Sequence, residues 1–152
     1  MTSYLIDINV WLAMTWDRHP QHAAARWYQS TDRVAFWFCR FTMLGFIRLL
    51  TNRQVMGGST VALGAAFGLY DRWKQDPRVG LVAEPPGMET LFRQAATPFA
   101  KPAASKAVAD CYLVGFAEAS GAQVVTFDRG LARTAKLREV PVTLLGAVVN
   151  AL

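Results

Sequence analysis

Tyr4-Leu5-Ile6-Asp7-Ile8-Asn9-Val10-Trp11-Leu12 is the stretch on which the fold turns. Tyr4-Leu5-Ile6 is a short apolar run that suits a buried strand, and Asp7 closes it. Asn9 then stands where a helix N-cap is expected, ahead of Val10, Trp11, Leu12 and Met14. The chain therefore opens with a strand that passes straight into a helix.

The rest of the sequence repeats that alternation. A second helix is expected near His19-Pro20, with proline in the first turn, running through Ala23, Ala24, Trp27 and Tyr28. Val34–Phe38 (VAFWF) reads as a strand, and Phe41–Leu50, apolar on every side apart from Arg48, as a buried helix. Gly57-Gly58 breaks the chain, and Ser59 is the expected cap of a helix from Thr60 to about Trp73. Val79–Val82 makes a short strand and Glu89–Ala96 a helix, after which Pro98 and Pro102 mark a loop. Ser105 is the expected cap of a helix that Gly121 stops after Ser120. Gln123–Thr126 is a strand reaching Asp128, Gly130 to Leu137 a short basic helix, and Val140–Leu144 a last strand. Strands alternating with helices predict an α/β fold with a mainly parallel sheet and helices on both faces.

With 152 residues, the chain is expected to form one domain over 1–152. Its 53% hydrophobic residues exclude disorder over most of its length. The 16 Lys and Arg against 11 Asp and Glu give a formal charge of +5, which favours an acidic partner. Cys39 and Cys111 have neither disulfide-framework nor zinc-ligand spacing and read as reduced core residues. No secretory leader pattern is visible, and the weakly polar runs Val61–Tyr70 and Val140–Leu152 are too short to span a bilayer. A cytoplasmic protein with no membrane partner is the expectation.

Ligands of parallel α/β sheets sit beyond the carboxyl ends of the strands, which singles out three aspartates. Asp7 and Asp128 follow strand ends. Asp110 lies near the start of a largely apolar helix, on the face of Val114 and Ala117. A carboxylate aligned with a core-facing stripe is costly unless paired or bound to a cation. Three such groups at one rim would raise one another's pKa unless a hard divalent ion neutralised them; Mg²⁺ fits, with Mn²⁺ as the other candidate. The bland reading of each is a turn residue, a first-turn acid or a helix cap. His19 and His22, three apart, are expected to pack or cap rather than bind metal.

These residues resemble the PIN-domain ribonucleases, and within them the VapC-type toxins of toxin–antitoxin pairs. The resemblance runs over nearly the whole chain. It rests on Leu5 to Ala13, on His19-Pro20-Gln21-His22 with Ala23, Ala24 and Trp27, on Leu44 to Asn52, on Ala109-Asp110, and on Val124 to Gly130. It implies a PIN-like three-layer sandwich and metal-dependent cleavage of RNA at Asp7, Asp110 and Asp128. The family usually adds a glutamate on the third helix, where this chain has Gly45. The alternative is therefore a PIN-fold RNA-binding module with weak or no catalysis. Glu84 and Glu118 are the two acids considered as replacements for the missing one, and spacing favours neither.

Around this site, Asn9 and Thr126 are expected to hydrogen-bond ligating carboxylates or the ion's water. Arg129, Arg133 and Lys136 follow Asp128 and should face passing phosphates, with Arg48 as a further RNA contact. Most tryptophans belong to core or interface, Trp11 and Trp27 foremost. The resemblance also implies partners: a transfer or ribosomal RNA, a cognate VapB-like antitoxin, and a homodimer or toxin–antitoxin hetero-oligomer. The helices at His19–Tyr28 and Phe41–Leu50 are the expected apolar surface for the antitoxin.

Overall fold

Leu5 and Ile6 are adjacent, fully buried, and belong to two different hydrophobic clusters. Successive strand side chains point to opposite faces, so a strand apolar at every position must be covered on both sides. Val124 and Val125 repeat the arrangement on the neighbouring strand, Val124 joining Leu5 and Val125 joining Ile6. The computed structural model, which describes residues 1–146, is accordingly a sheet between two helical layers.

Among the described residues, the five strands are β1 (Thr2–Ile6), β2 (Val34–Phe38), β3 (Val79–Leu81), β4 (Gln123–Thr126) and β5 (Val142–Leu144). They lie in the order β3-β2-β1-β4-β5, and all four pairings are parallel. The α-helices among the described residues are α1 (Ile8–Thr15), α2 (His22–Ala25), α3 (Arg40–Leu50), α4 (Arg53–Met56), α5 (Leu63–Lys74), α6 (Met88–Ala96), α7 (Ala107–Ser120) and α8 (Arg129–Leu137). Residues of α1, α3 and α5 supply one cluster, and residues of α6, α7 and α8 the other. In the first, Trp11 stacks on Phe38 with ring centroids 3.7 Å apart and planes 7° from parallel. Cys39 and Cys111 are free and buried, as expected.

β1 is the start of both halves of the sheet: the chain goes from β1 outward to β2 and β3, then returns to β4 on its other side. Strand order reverses between β1 and β4, the place where such sheets bind ligands; Asp7 directly follows β1, and Asp128 stands two residues past β4.

Several helix starts differ from the sequence expectation. The second helix is a single turn, α2, continued by a 3₁₀ segment at Arg26–Ser30. Ser59 does not cap α5; it lies in a 3₁₀ turn, Gly57–Ser59, where Gly57 takes a positive φ of 55°, and the helix begins at Leu63. α7 begins at Ala107 with no side-chain cap from Lys106, the residue at its cap position, so Ser105 stays outside. The last strand is shorter than Val140–Leu144, and the run to Leu152 extends past the described residues. Among the described residues, no helix is long and apolar enough to cross a membrane.

Candidate active site

Asp7 ends β1 and caps α1: its Oδ1 accepts from the Ile8 amide at 2.8 Å. This corrects the expectation for Asn9, which is exposed inside the first turn of α1 and is not a partner of the Asp7 carboxylate. The amide of Asp7 still belongs to the sheet, donating to the Val125 carbonyl at 3.0 Å, so the helix turns at Asp7. The other carboxylate oxygen, Oδ2, accepts from Thr126 Oγ1 at 2.7 Å. Thr126 is fully buried at the end of β4, and its Oγ1 in turn accepts from the Asp128 amide at 2.9 Å. One hydroxyl thereby ties the two strand ends together.

Asp128 is exposed and caps α8, its Oδ1 accepting from Gly130 N at 2.6 Å and Leu131 N at 3.3 Å. Asp110 projects from the first turn of α7, half-buried, while Val114 and Ala117 below it are completely buried. Gly130 separates the two: a β-carbon there would lie 3.0 Å from Asp128 Oδ1, 3.9 Å from Asp110 Oδ2 and 3.8 Å from Arg133 Nη2. Burial first, then the charges of Asp128 and Asp7, push the Asp110 carboxyl up to about 6. Asp7 is also raised, by burial above all, against the lowering effect of its Thr126 and Ile8 hydrogen bonds. No ion pair among the described residues relieves any of the three.

Among the described residues, no three His, Cys, Asp or Glu side chains converge tightly enough to enclose an ion. The aspartates form an open rim. That suits a hard cation such as Mg²⁺, which keeps several waters and takes one or two carboxylates directly. The gap at Gly130, which a side chain would fill, is the second point of fit.

The position of the missing glutamate is filled. A β-carbon on Gly45 of α3 would collide with Ile8, its Cδ1 most severely and its Cγ1 at 2.9 Å. Neither acid considered as a replacement is free. Glu118 pairs with Arg138 at 2.8 Å, and Glu84 accepts from the Tyr112 hydroxyl at 3.0 Å.

A cleft of about 650 Å³ carries Asp110 and Asp128 on its wall, with Lys106 and Arg133 beside them and Phe99 and Leu137 as apolar lining. Arg133 lines this cleft together with the two aspartates. Lys136 is exposed farther along α8 and does not line this cleft, Arg129 faces a smaller hollow with Gln21 and Phe127, and Arg48 is exposed on α3. Lys106 and Phe99 were not singled out from sequence; Lys106 stands four residues before Asp110, a spacing that puts both on one helix face. The histidines bind neighbours rather than each other: His22 Nδ1 donates to the Ala13 carbonyl at 2.6 Å, and His19 Nδ1 accepts from the Gln21 amide at 3.0 Å. Trp11 is fully buried and Trp27 partly so, packed edge-on to Tyr4.

A parallel α/β sandwich with an acidic rim at its switch point defines a class of proteins, and the comparisons place this chain within it. Residues 4–137 match the model of the PIN domain, and the chain belongs to the PIN domain family. It is similar to ribonuclease VapC41 of Mycobacterium tuberculosis, with 37% identity over 130 residues, 82% of this chain and 88% of that one. Its fold is that of VapBC2 from Rickettsia felis, solved bound to a promoter DNA fragment: TM-score 0.65, 8% identity, covering 95% of this chain and 99% of that one. The M. tuberculosis toxin VapC20, which cleaves the sarcin-ricin loop, shares the fold at TM-score 0.58 and 16% identity, over 86% and 93% of the two chains.

Proposed function

We propose that this protein is the toxin of a toxin–antitoxin pair, an endoribonuclease of the cytoplasm that depends on Mg²⁺ or Mn²⁺ and is neutralised by a VapB-like antitoxin. The observation that carries the reading is the rim itself: Asp7, Thr126 and Asp128 in one hydrogen-bonded chain, with Asp110 across the gap at Gly130. Kinship with a VapC ribonuclease over most of the chain supports the activity.

Asp7, Asp110 and Asp128 would hold the ion. A bound divalent cation lowers the pKa of its water and offsets charge that builds on phosphate oxygens. The chain's own contribution is positional. Ile8 N and Thr126 orient Asp7, and their hydrogen bonds favour its ionised form against the effect of burial. Asp128 is fixed by the α8 amides it caps, and Arg133 places a guanidinium next to it for an RNA phosphate. A transfer or ribosomal RNA is the substrate class, and a dimer or a complex with the antitoxin is the assembly.

The test is cleavage of RNA by the purified protein with Mg²⁺, with EDTA, and after Asp7→Asn. Loss of cleavage in the last two supports the reading; equal cleavage in EDTA sinks it. The packing of Ile8 onto Gly45 favours a second reading, an RNA-binding module of low activity, in which RNA is retarded on a gel but never shortened.

A further inference from the structure

We propose that an apolar groove beside the acidic cleft receives an unpaired base of the RNA, with Lys106 meeting the phosphate between them. The inference rests on the ribonuclease reading and deepens it. The groove has a volume of about 620 Å³ and lies between α6, the segment 97–106 and the first half of α7. It shares Phe99 and Ala107 with the acidic cleft, so the two hollows adjoin. Phe92, Phe99, Ala103 and Val108 line it, and Val108 is 57% exposed.

Lys106 stands at the seam, exposed, with no ion pair among the described residues. It precedes Asp110 by one helical turn, and Arg133 lies on the same cleft. Apolar surface beside a cleft that carries two cations, Lys106 and Arg133, matches a nucleotide better than a peptide. The phosphate answers the cations, and the flat base offers an apolar face to Phe99. A base inside a duplex has no free face, so the groove selects single-stranded or looped RNA.

The experiment is equilibrium binding to the full chain, in EDTA and again in Ca²⁺, of a single-stranded RNA carrying 2-aminopurine, whose fluorescence falls on stacking. A fully paired hairpin of the same composition is the comparison. The expected result is preference for the single strand, with quenching. Ala104→Trp, which fills the groove, and Phe99→Leu, which keeps its packing but removes the ring, should each weaken binding about tenfold and abolish quenching. Lys106→Ala should lower the salt dependence by about one phosphate contact. Thermal melting of each variant confirms that it is folded.

Unchanged affinity and quenching in Phe99→Leu and Ala104→Trp would overturn the groove while leaving the ribonuclease reading intact. A change of oligomeric state in light scattering, with RNA binding untouched, would overturn it by making the groove a protein interface. Wild-type protein that binds no single-stranded RNA in either solution would overturn both.

Discussion

Thr126 Oγ1 donates to Asp7 Oδ2 at 2.7 Å, joining the ends of two strands 119 residues apart in sequence. The same oxygen accepts from the Asp128 amide, so its single proton is committed to Asp7. Thr126→Val keeps the shape but leaves Asp7 without its strongest stabilising partner and the Asp128 amide without its acceptor. Activity should fall about 10- to 100-fold, the usual cost of losing a group that orients a metal-binding carboxylate. Thr126→Ser should restore most of it, as measured by initial rates of RNA cleavage; equal loss in both variants would mean that the methyl group matters and the hydroxyl does not.

Three unpaired acids at one rim predict an unusual pH dependence of stability. In the metal-free protein the folded Asp110 carboxyl titrates at about 6, against an ordinary 3.8. Between those values the folded state binds a proton that the unfolded chain has released, so stability rises as the pH falls through that window and declines as the pH rises. At lower pH the trend reverses, because Asp76 is held below its ordinary range by its hydrogen bonds to Arg78 and loses that contact when protonated. Thermal melts in EDTA should therefore shift upward by a few degrees from neutral pH to about pH 5. Asp110→Asn should flatten the rise, and Mg²⁺ should stabilise the wild type more at neutral pH than in acid.

Much of this rim was legible in the sequence because the strand-end rule needs only the strands and their order of sheet to helix. Val34–Phe38 and Gln123–Thr126 form as the apolar runs indicate, which puts Asp128 beyond a strand end without further information. The cap of α1 was not legible. Asp7 and Asn9 are both good N-caps two residues apart, and what decides between them is a long-range bond, from the Asp7 amide to Val125. Lys106 and Phe99 were hidden for a related reason. They sit in or beside a stretch punctuated by Pro98 and Pro102, which reads as loop, and only the packing of α6 on α7 turns that loop into a wall.

Ile8 and Gly45 are a matched pair, and their match can be tested. Restoring the acid alone, Gly45→Glu, drives a side chain into Ile8 and should cost about 1–3 kcal/mol, seen as a lower urea midpoint. Adding Ile8→Ala opens that space. The double variant should regain much of the lost stability and bind divalent cations more tightly than the wild type in isothermal titration. If both variants are equally destabilised, Ile8 is not what excludes the acid.

Asp128 has two jobs that conservative substitutions separate. Its Oδ1 caps α8, and its charge faces Asp110 across Gly130. Asparagine caps as well as aspartate, so Asp128→Asn should melt near the wild-type temperature while cleaving RNA poorly, since the carboxylate is gone. Asp128→Ala removes both functions and should lose about 1 kcal/mol of stability in addition. The melting difference between the two variants measures the cap, and their shared loss of cleavage measures the charge. Full activity in Asp128→Asn would reduce this residue to a helix cap and leave Asp7 and Asp110 to hold the ion alone. That outcome would also bear on Gly130: Gly130→Ala, which crowds the space between the two carboxylates, should impair cleavage only if Asp128 shares the ion with Asp110.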